Sequence, residues 1–141
     1  MKCDYDLSRY IVAYQDNYQK ALAEIKNGKK ASHWMWYIFP QIQGLGRSSI
    51  SKFYAIKNLD EAKEFFNNSY LGNNLIEISK SLLELETNNA REIFGRPDDI
   101  KLRSSMTLFA RACENNEVFL AVLDKYFNGK QDHLTLKILN R

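Results

Sequence analysis

The spacing of apolar residues constrains this chain more than any other feature. Leu7, Tyr10, Tyr14, Tyr18, Leu22 and Ile25 recur at every third or fourth position, which puts them on one face of a helix. Leu71, Leu75, Ile78, Leu82 and Leu85 repeat the pattern, as do Leu102, Met106, Phe109 and Cys113. Phe119, Val122, Leu123, Tyr126 and Phe127 mark a further helix, and Leu136 and Leu139 a last one. No segment alternates apolar and polar residues for more than a few positions, and no Asn-Gly turn separates two β-branched runs. The expected fold is all-α. It is a single compact domain over 1–141 with seven to nine short-to-medium helices, packed as an irregular array or a small right-handed α-superhelix. Residues 1–4 are expected to be a frayed terminus.

Polar punctuation sets the boundaries. Asp16 with Gln19 resembles a capping box and predicts a break in the first helix near Tyr14. Gly28 supplies a left-handed stop. Ser32 is expected to cap a helix through His33–Ile38, ended by Pro40. Ser48 or Ser49, Asn58 with Glu61, Ser69 and Asp132 are further starts, Ser69 opening the longest helix, and Asn89 precedes Ile93 and Phe94 in a turn that Gly95 ends. Pro97 opens the helix that carries Asp98 and Asp99 in its first turn, where the helix dipole favours acids.

Composition excludes several classes. A chain of 141 residues, 45% hydrophobic and 26% charged, belongs with ordinary globular domains rather than disordered chains. Its longest apolar run, Trp34–Phe39, is far short of the ~20 residues that span a bilayer. The first ten residues lack a basic-then-apolar leader. Two cysteines, Cys3 and Cys113, make a disulfide framework improbable and fit a cytoplasmic location. His33 and His133 lie far apart, with no ligand-spaced partners, so neither a metal nor another cofactor is expected.

Charge is distributed unevenly behind a net value of +3. Residues 26–57 hold Lys26, Lys29, Lys30, Arg47, Lys52 and Lys57 and no acid, whereas the segment that follows is acidic. The basic stretch is either an anion site or a solvated surface balanced by its neighbour. Within it, Trp34, Trp36, Gln41, Gly44, Gly46, Arg47 and Ser48 form the first candidate site. A helix start offers free N–H groups, glycines allow close approach, and Arg47 adds a planar donor fork. Either tryptophan could stack on a base, although core packing is the commoner use of such residues. Gly44-Leu45-Gly46-Arg47-Ser48 lacks the full fingerprint of a dinucleotide or phosphate loop.

The second constellation is Asp98, Asp99, Lys101, Arg103, Ser104 and Ser105. Asp98, Asp99 and His33 are the candidate general acids and bases, with Lys101, Ser104 and Ser105 as ligand contacts. The plainer role of the carboxylates is first-turn charge plus pairing, Asp99 with Arg103 one turn on. Cys113 continues an apolar stripe and reads as an inert buried thiol.

Tyr5-Asp6-Leu7-Ser8-Arg9-Tyr10, Ser32-His33-Trp34-Met35-Trp36-Tyr37-Ile38-Phe39-Pro40-Gln41 and Gly44-Leu45-Gly46-Arg47-Ser48 are distinctive blocks. With Ile93-Phe94-Gly95, the stretch Pro97–Phe109 and the closing Phe127–Leu136, they resemble the family catalogued as domain of unknown function 1810. The likeness runs over about residues 5–139 and implies an all-helical fold without supplying an activity.

Three functions follow as expectations. The first is a pocket for an anionic small molecule, a nucleotide or sugar phosphate, lined by Trp, Arg and Ser. If catalytic, it would be a metal-independent hydrolase or transferase using general acid–base chemistry. The alternative is a non-catalytic helical module that binds another protein through the Tyr10–Tyr18 stripe. Nucleic-acid binding by the lysines is the weakest of the three, and no membrane partner is expected.

Overall fold

The computed structural model describes residues 5–140, so the terminus expected to fray at 1–4 lies outside the described residues. Within them the chain forms α1 (Ser8–Lys26), α2 (Met35–Ile38), α3 (Ser49–Tyr54), α4 (Leu59–Asn67) and α5 (Ser69–Leu83). It continues through α6 (Ala90–Phe94), α7 (Asp98–Ala112), α8 (Glu117–Phe127) and α9 (His133–Leu139). The all-α expectation therefore holds. The one extended feature among the described residues is an isolated bridge between Ile42 and Ile56, flanked by Gln43 N–H donating to Ile56 O (2.7 Å) and Ile56 N–H to Gln41 O (2.8 Å).

Helix α7 is the axis of the packing. It touches α4, α6, α8 and α9, while α5 joins α1, α4 and α8. Leu102, Met106, Phe109 and Cys113 lie buried along α7, as their spacing predicts. The helix also buries Ser104, Ser105 and Thr107. Thr107 Oγ1 donates to Arg103 O (2.8 Å), and Ser104 Oγ lies 3.1 Å from Asp132 Oδ2, which ties α9 to α7. Asp132 caps α9 by accepting from Thr135 N–H (3.0 Å).

Four boundary expectations are corrected. α1 runs unbroken from Ser8 to Lys26, because Tyr10, Tyr14, Tyr18, Leu22 and Ile25 all bury on one face and packing overrides the Asp16 signal. It is also the longest helix, at 19 residues against 15 for α5. α5 is capped by Asn68 rather than Ser69, through a bond from Leu71 N–H (3.0 Å). Ser32 does not cap α2, since its hydroxyl is bonded to Glu24 instead. The starts at Ser48, Asn58 and Asp132 hold, each accepting from a backbone N–H of its helix, and Asn89 caps α6 in the same way.

The aromatic stripe of α1 is core rather than contact surface. Tyr10, Tyr14 and Tyr18 are buried, and their hydroxyls bond to Tyr54 O, Ile38 O and Asn74 O. Burial pushes all three phenols up from their ordinary pKa. A partner-binding role for that stripe is therefore withdrawn.

Candidate functional site

The site begins with a strut at the end of α1. Gly28 takes a φ of +78° and turns the chain back, and Glu24 then gathers the returning segment. Its carboxylate accepts from Ala31 N–H (2.7 Å), Ser32 N–H (3.0 Å), Ser32 Oγ (2.6 Å) and Trp34 Nε1 (2.8 Å). Burial works against its charge, but the four bonds outweigh that and hold its pKa down at about 2. Trp34 is thereby fixed in the core, its ring 6.2 Å from that of Phe39 and 6.3 Å from that of Phe94. It is a structural pillar with no face left for a ligand.

Lys30 stitches the same segment to α6 and α7. Its N–H donates to Ile93 O (2.7 Å), and its ammonium donates to Ser32 O (2.6 Å) and pairs with Asp98 Oδ2 (2.9 Å). Asp98 Oδ1 meets a second ammonium, Lys101, at 3.7 Å. Lys101 in turn stands 5.9 Å above the ring of Trp36, and the His33 ring lies 6.4 Å from the same indole. Trp36 is half-buried, and His33 is exposed. Two cations share one carboxylate, so the surface around Trp36 keeps a positive excess.

The other flank of Trp36 is the glycine loop. Trp36, Gln41, Ile42, Gly46, Ser51 and Tyr54 enclose a hollow of about 10 Å³, the space of one water. A Cβ on Gly46 would fall 2.4 Å from that of Ser51, so only glycine fits there. Gly44 has a φ of +109° and faces Ile138. Ser48 is committed to α3, accepting from Ser51 N–H (3.1 Å). Arg47 is exposed beside it.

The structure thus brings together His33, Trp36, Asp98 and Lys101, with Gln41 and Gly46 on the far side of the indole. It does not add Trp34, Ser104 or Asp99 to that group. Ser104 is turned to Asp132. Asp99 sits on another face of α7 and meets Arg96 at 3.4 Å, so its expected pairing with Arg103 is corrected. Arg103 instead donates to Lys130 O and Gln131 O at 2.9 Å each. Ser105 is fully buried, and its hydroxyl has no hydrogen-bond partner among the described residues.

The sequence points to Lys30 only as one basic residue of the acid-free stretch, and not to Glu24. Lys30 follows the Gly28 stop by two positions, and Glu24 is the last acid before an acid-free stretch. That adjacency is the signal that could have found both. Among the described residues no cluster of three or more His, Cys, Asp or Glu could hold a metal ion.

The family described as "Protein of unknown function (DUF1810)" matches residues 4–139. Among solved structures, the chain is similar to the conserved hypothetical protein Rv1873 from Mycobacterium tuberculosis. Sequence identity is 40%, the TM-score is 0.96, and 99% of each chain is covered. No curated protein matches the chain. No helix among the described residues is long and apolar enough to cross a membrane.

Proposed function

The chain belongs to the DUF1810 family, and we propose that it binds a phosphate- or nucleotide-bearing small molecule across the outer face of Trp36. One observation carries the reading. The Lys101 ammonium, shared with Asp98, stands 5.9 Å over an indole that Gln41 and Gly46 flank on its other side. A planar base or sugar would lie on the ring, and its phosphate would meet Lys101. The hollow beyond Trp36 is too small to enclose a ligand, so binding is across the surface. If the bound molecule is cleaved or transferred, His33 is the group free to carry a proton, since no hydrogen bond to its ring is formed among the described residues. Asp98, held between two ammonium groups, positions them. A cytoplasmic setting belongs to the same reading, and the free buried thiol of Cys113 supports it.

A thermal-shift screen of nucleotides and sugar phosphates tests this. At 100 times its dissociation constant a ligand adds about 2.7 kcal/mol, a midpoint rise of about 9 °C for a chain of this length. Lys101→Gln should abolish the rise given by nucleotides while melting cooperatively. A screen in which no phosphate compound moves the midpoint by more than about 2 °C rejects the proposal.

A second reading, a protein-interaction module, is favoured by α3. That helix buries none of its residues and leaves Ile50 40% and Phe53 57% exposed. A paired Ile50→Ser, Phe53→Ser variant should then lose a self-association or partner contact that Lys101→Gln retains.

A further inference from the structure

One peptide bond from Asp98, the chain opens onto a different surface. A cavity of about 480 Å³ lies between α6, the first turns of α7 and the end of α8, within the size range of small-molecule sites. Three arginines line it, Arg91, Arg96 and Arg103, together with Asp99, Ile100 and Phe127. Arg91 has no side-chain partner among the described residues. Arg103 is held in place by the carbonyls of Lys130 and Gln131 through Nε and Nη2, which leaves Nη1 uncommitted. Arg96 is 56% exposed and touches Asp99 Oδ2 at 3.4 Å, too long for a strong ion pair.

Asp99 itself is incompletely satisfied. Its side chain is 8% exposed, and its second oxygen, Oδ1, receives no hydrogen bond. A buried carboxylate oxygen without a donor is costly. Three cations against one carboxylate leave a charge of about +2, which matches the dianion of a phosphate monoester.

We propose that this cavity is a second binding site, for a small phosphorylated polyol such as a pentose or hexose phosphate. It is separate from the Trp36 surface and does not rest on that reading. The phosphate docks on Arg91, Arg103 and Arg96. Arg96 exchanges its loose contact with Asp99 for the anion, and a ligand hydroxyl takes its place as donor to Asp99 Oδ2. Binding is reversible and no covalent step is involved.

Isothermal titration of the full chain with ribose 5-phosphate and with inorganic phosphate tests the site. The wild type should bind ribose 5-phosphate at about 1 mM or tighter. Arg91→Gln with Arg96→Gln should weaken it by about tenfold or more, since both lose charge-assisted hydrogen bonds. Arg91→Gln alone, whose side chain has no partner among the described residues, should weaken binding while melting as the wild type does. Asp99→Asn should weaken ribose 5-phosphate but not inorganic phosphate, and Lys101→Gln should change neither. The absence of measurable binding overturns the site. So does loss of binding in Lys101→Gln with retention in the double arginine variant, which would assign the sugar phosphate to Trp36. Equal effects of Asp99→Asn on both probes would remove the hydroxyl contact from the proposal.

Discussion

Glu24→Gln is the sharpest perturbation of the framework behind Trp36. The wild-type carboxylate receives four hydrogen bonds from Ala31, Ser32 and Trp34. A glutamine keeps the shape but offers one acceptor oxygen and turns an NH₂ toward groups that are themselves donors. The Trp34 indole N–H belongs to a side chain that is 1% exposed, so it cannot recover its bond from water. Leaving such a donor unmade costs about 1–3 kcal/mol. The carboxyl's descent from 4.5 to about 2 would correspond to about 3 kcal/mol if none were lost to solvent. Glu24 is only half-buried, and screening reduces that figure. We take about 2 kcal/mol, or about 7 °C in midpoint, as the expected loss at pH 7. The sign of the pH dependence follows from a depressed pKa in the folded state. The stabilisation is full above about 4.5 and disappears as the pH falls toward about 2. Urea unfolding of both proteins at several pH values, followed by tryptophan fluorescence, measures the gap. A difference under about 0.5 kcal/mol at pH 7, or one that widens on acidification, would refute the reasoning.

Three other outcomes follow from the packing. Gly72→Ala should fail to fold or lose more than about 3 kcal/mol, because its Cβ would lie 1.9 Å from the backbone carbonyl oxygen of Phe66; circular dichroism melting decides. Ser105→Ala should be neutral or stabilising by up to about 1 kcal/mol, since it removes a buried hydroxyl without a partner and improves helix propensity; a chemical-denaturation midpoint below wild type would count against it. Burial pushes the Cys113 thiol up to about 12, so peptide mapping after treatment with a thiol reagent at neutral pH should show Cys113 labelled only when the protein is unfolded.

Much of this architecture was legible because helical spacing and capping chemistry agree. The stripe Leu102–Met106–Phe109–Cys113 predicts the buried face of α7, and Asn58 and Asp132 mark helix starts that the structure keeps. Where they disagreed, packing prevailed. Asp16 and Gln19 signal a local start, but the continuous tyrosine face of α1 buries more than any capping box supplies. The site was legible only in part. His33, Trp36, Asp98 and Lys101 were all selected, yet nothing local separates Trp36 from Trp34. Their different fates are decided by Glu24, ten residues before Trp34 and across a turn. Lys30 has the same character: its partner Asp98 lies on a helix far along the chain, and such pairing leaves no periodic trace.

The neighbours Asp98 and Asp99 serve opposite clients. One faces Lys30 and the indole, the other the arginine-lined cavity, since successive helical residues point about 100° apart. A single residue inserted or deleted between Asp99 and Leu102 would turn both carboxylates by about 100° relative to the buried stripe and misdirect them together. The two surfaces are therefore geared to one shaft, and neither can be re-indexed by shifting the helix without disengaging the other.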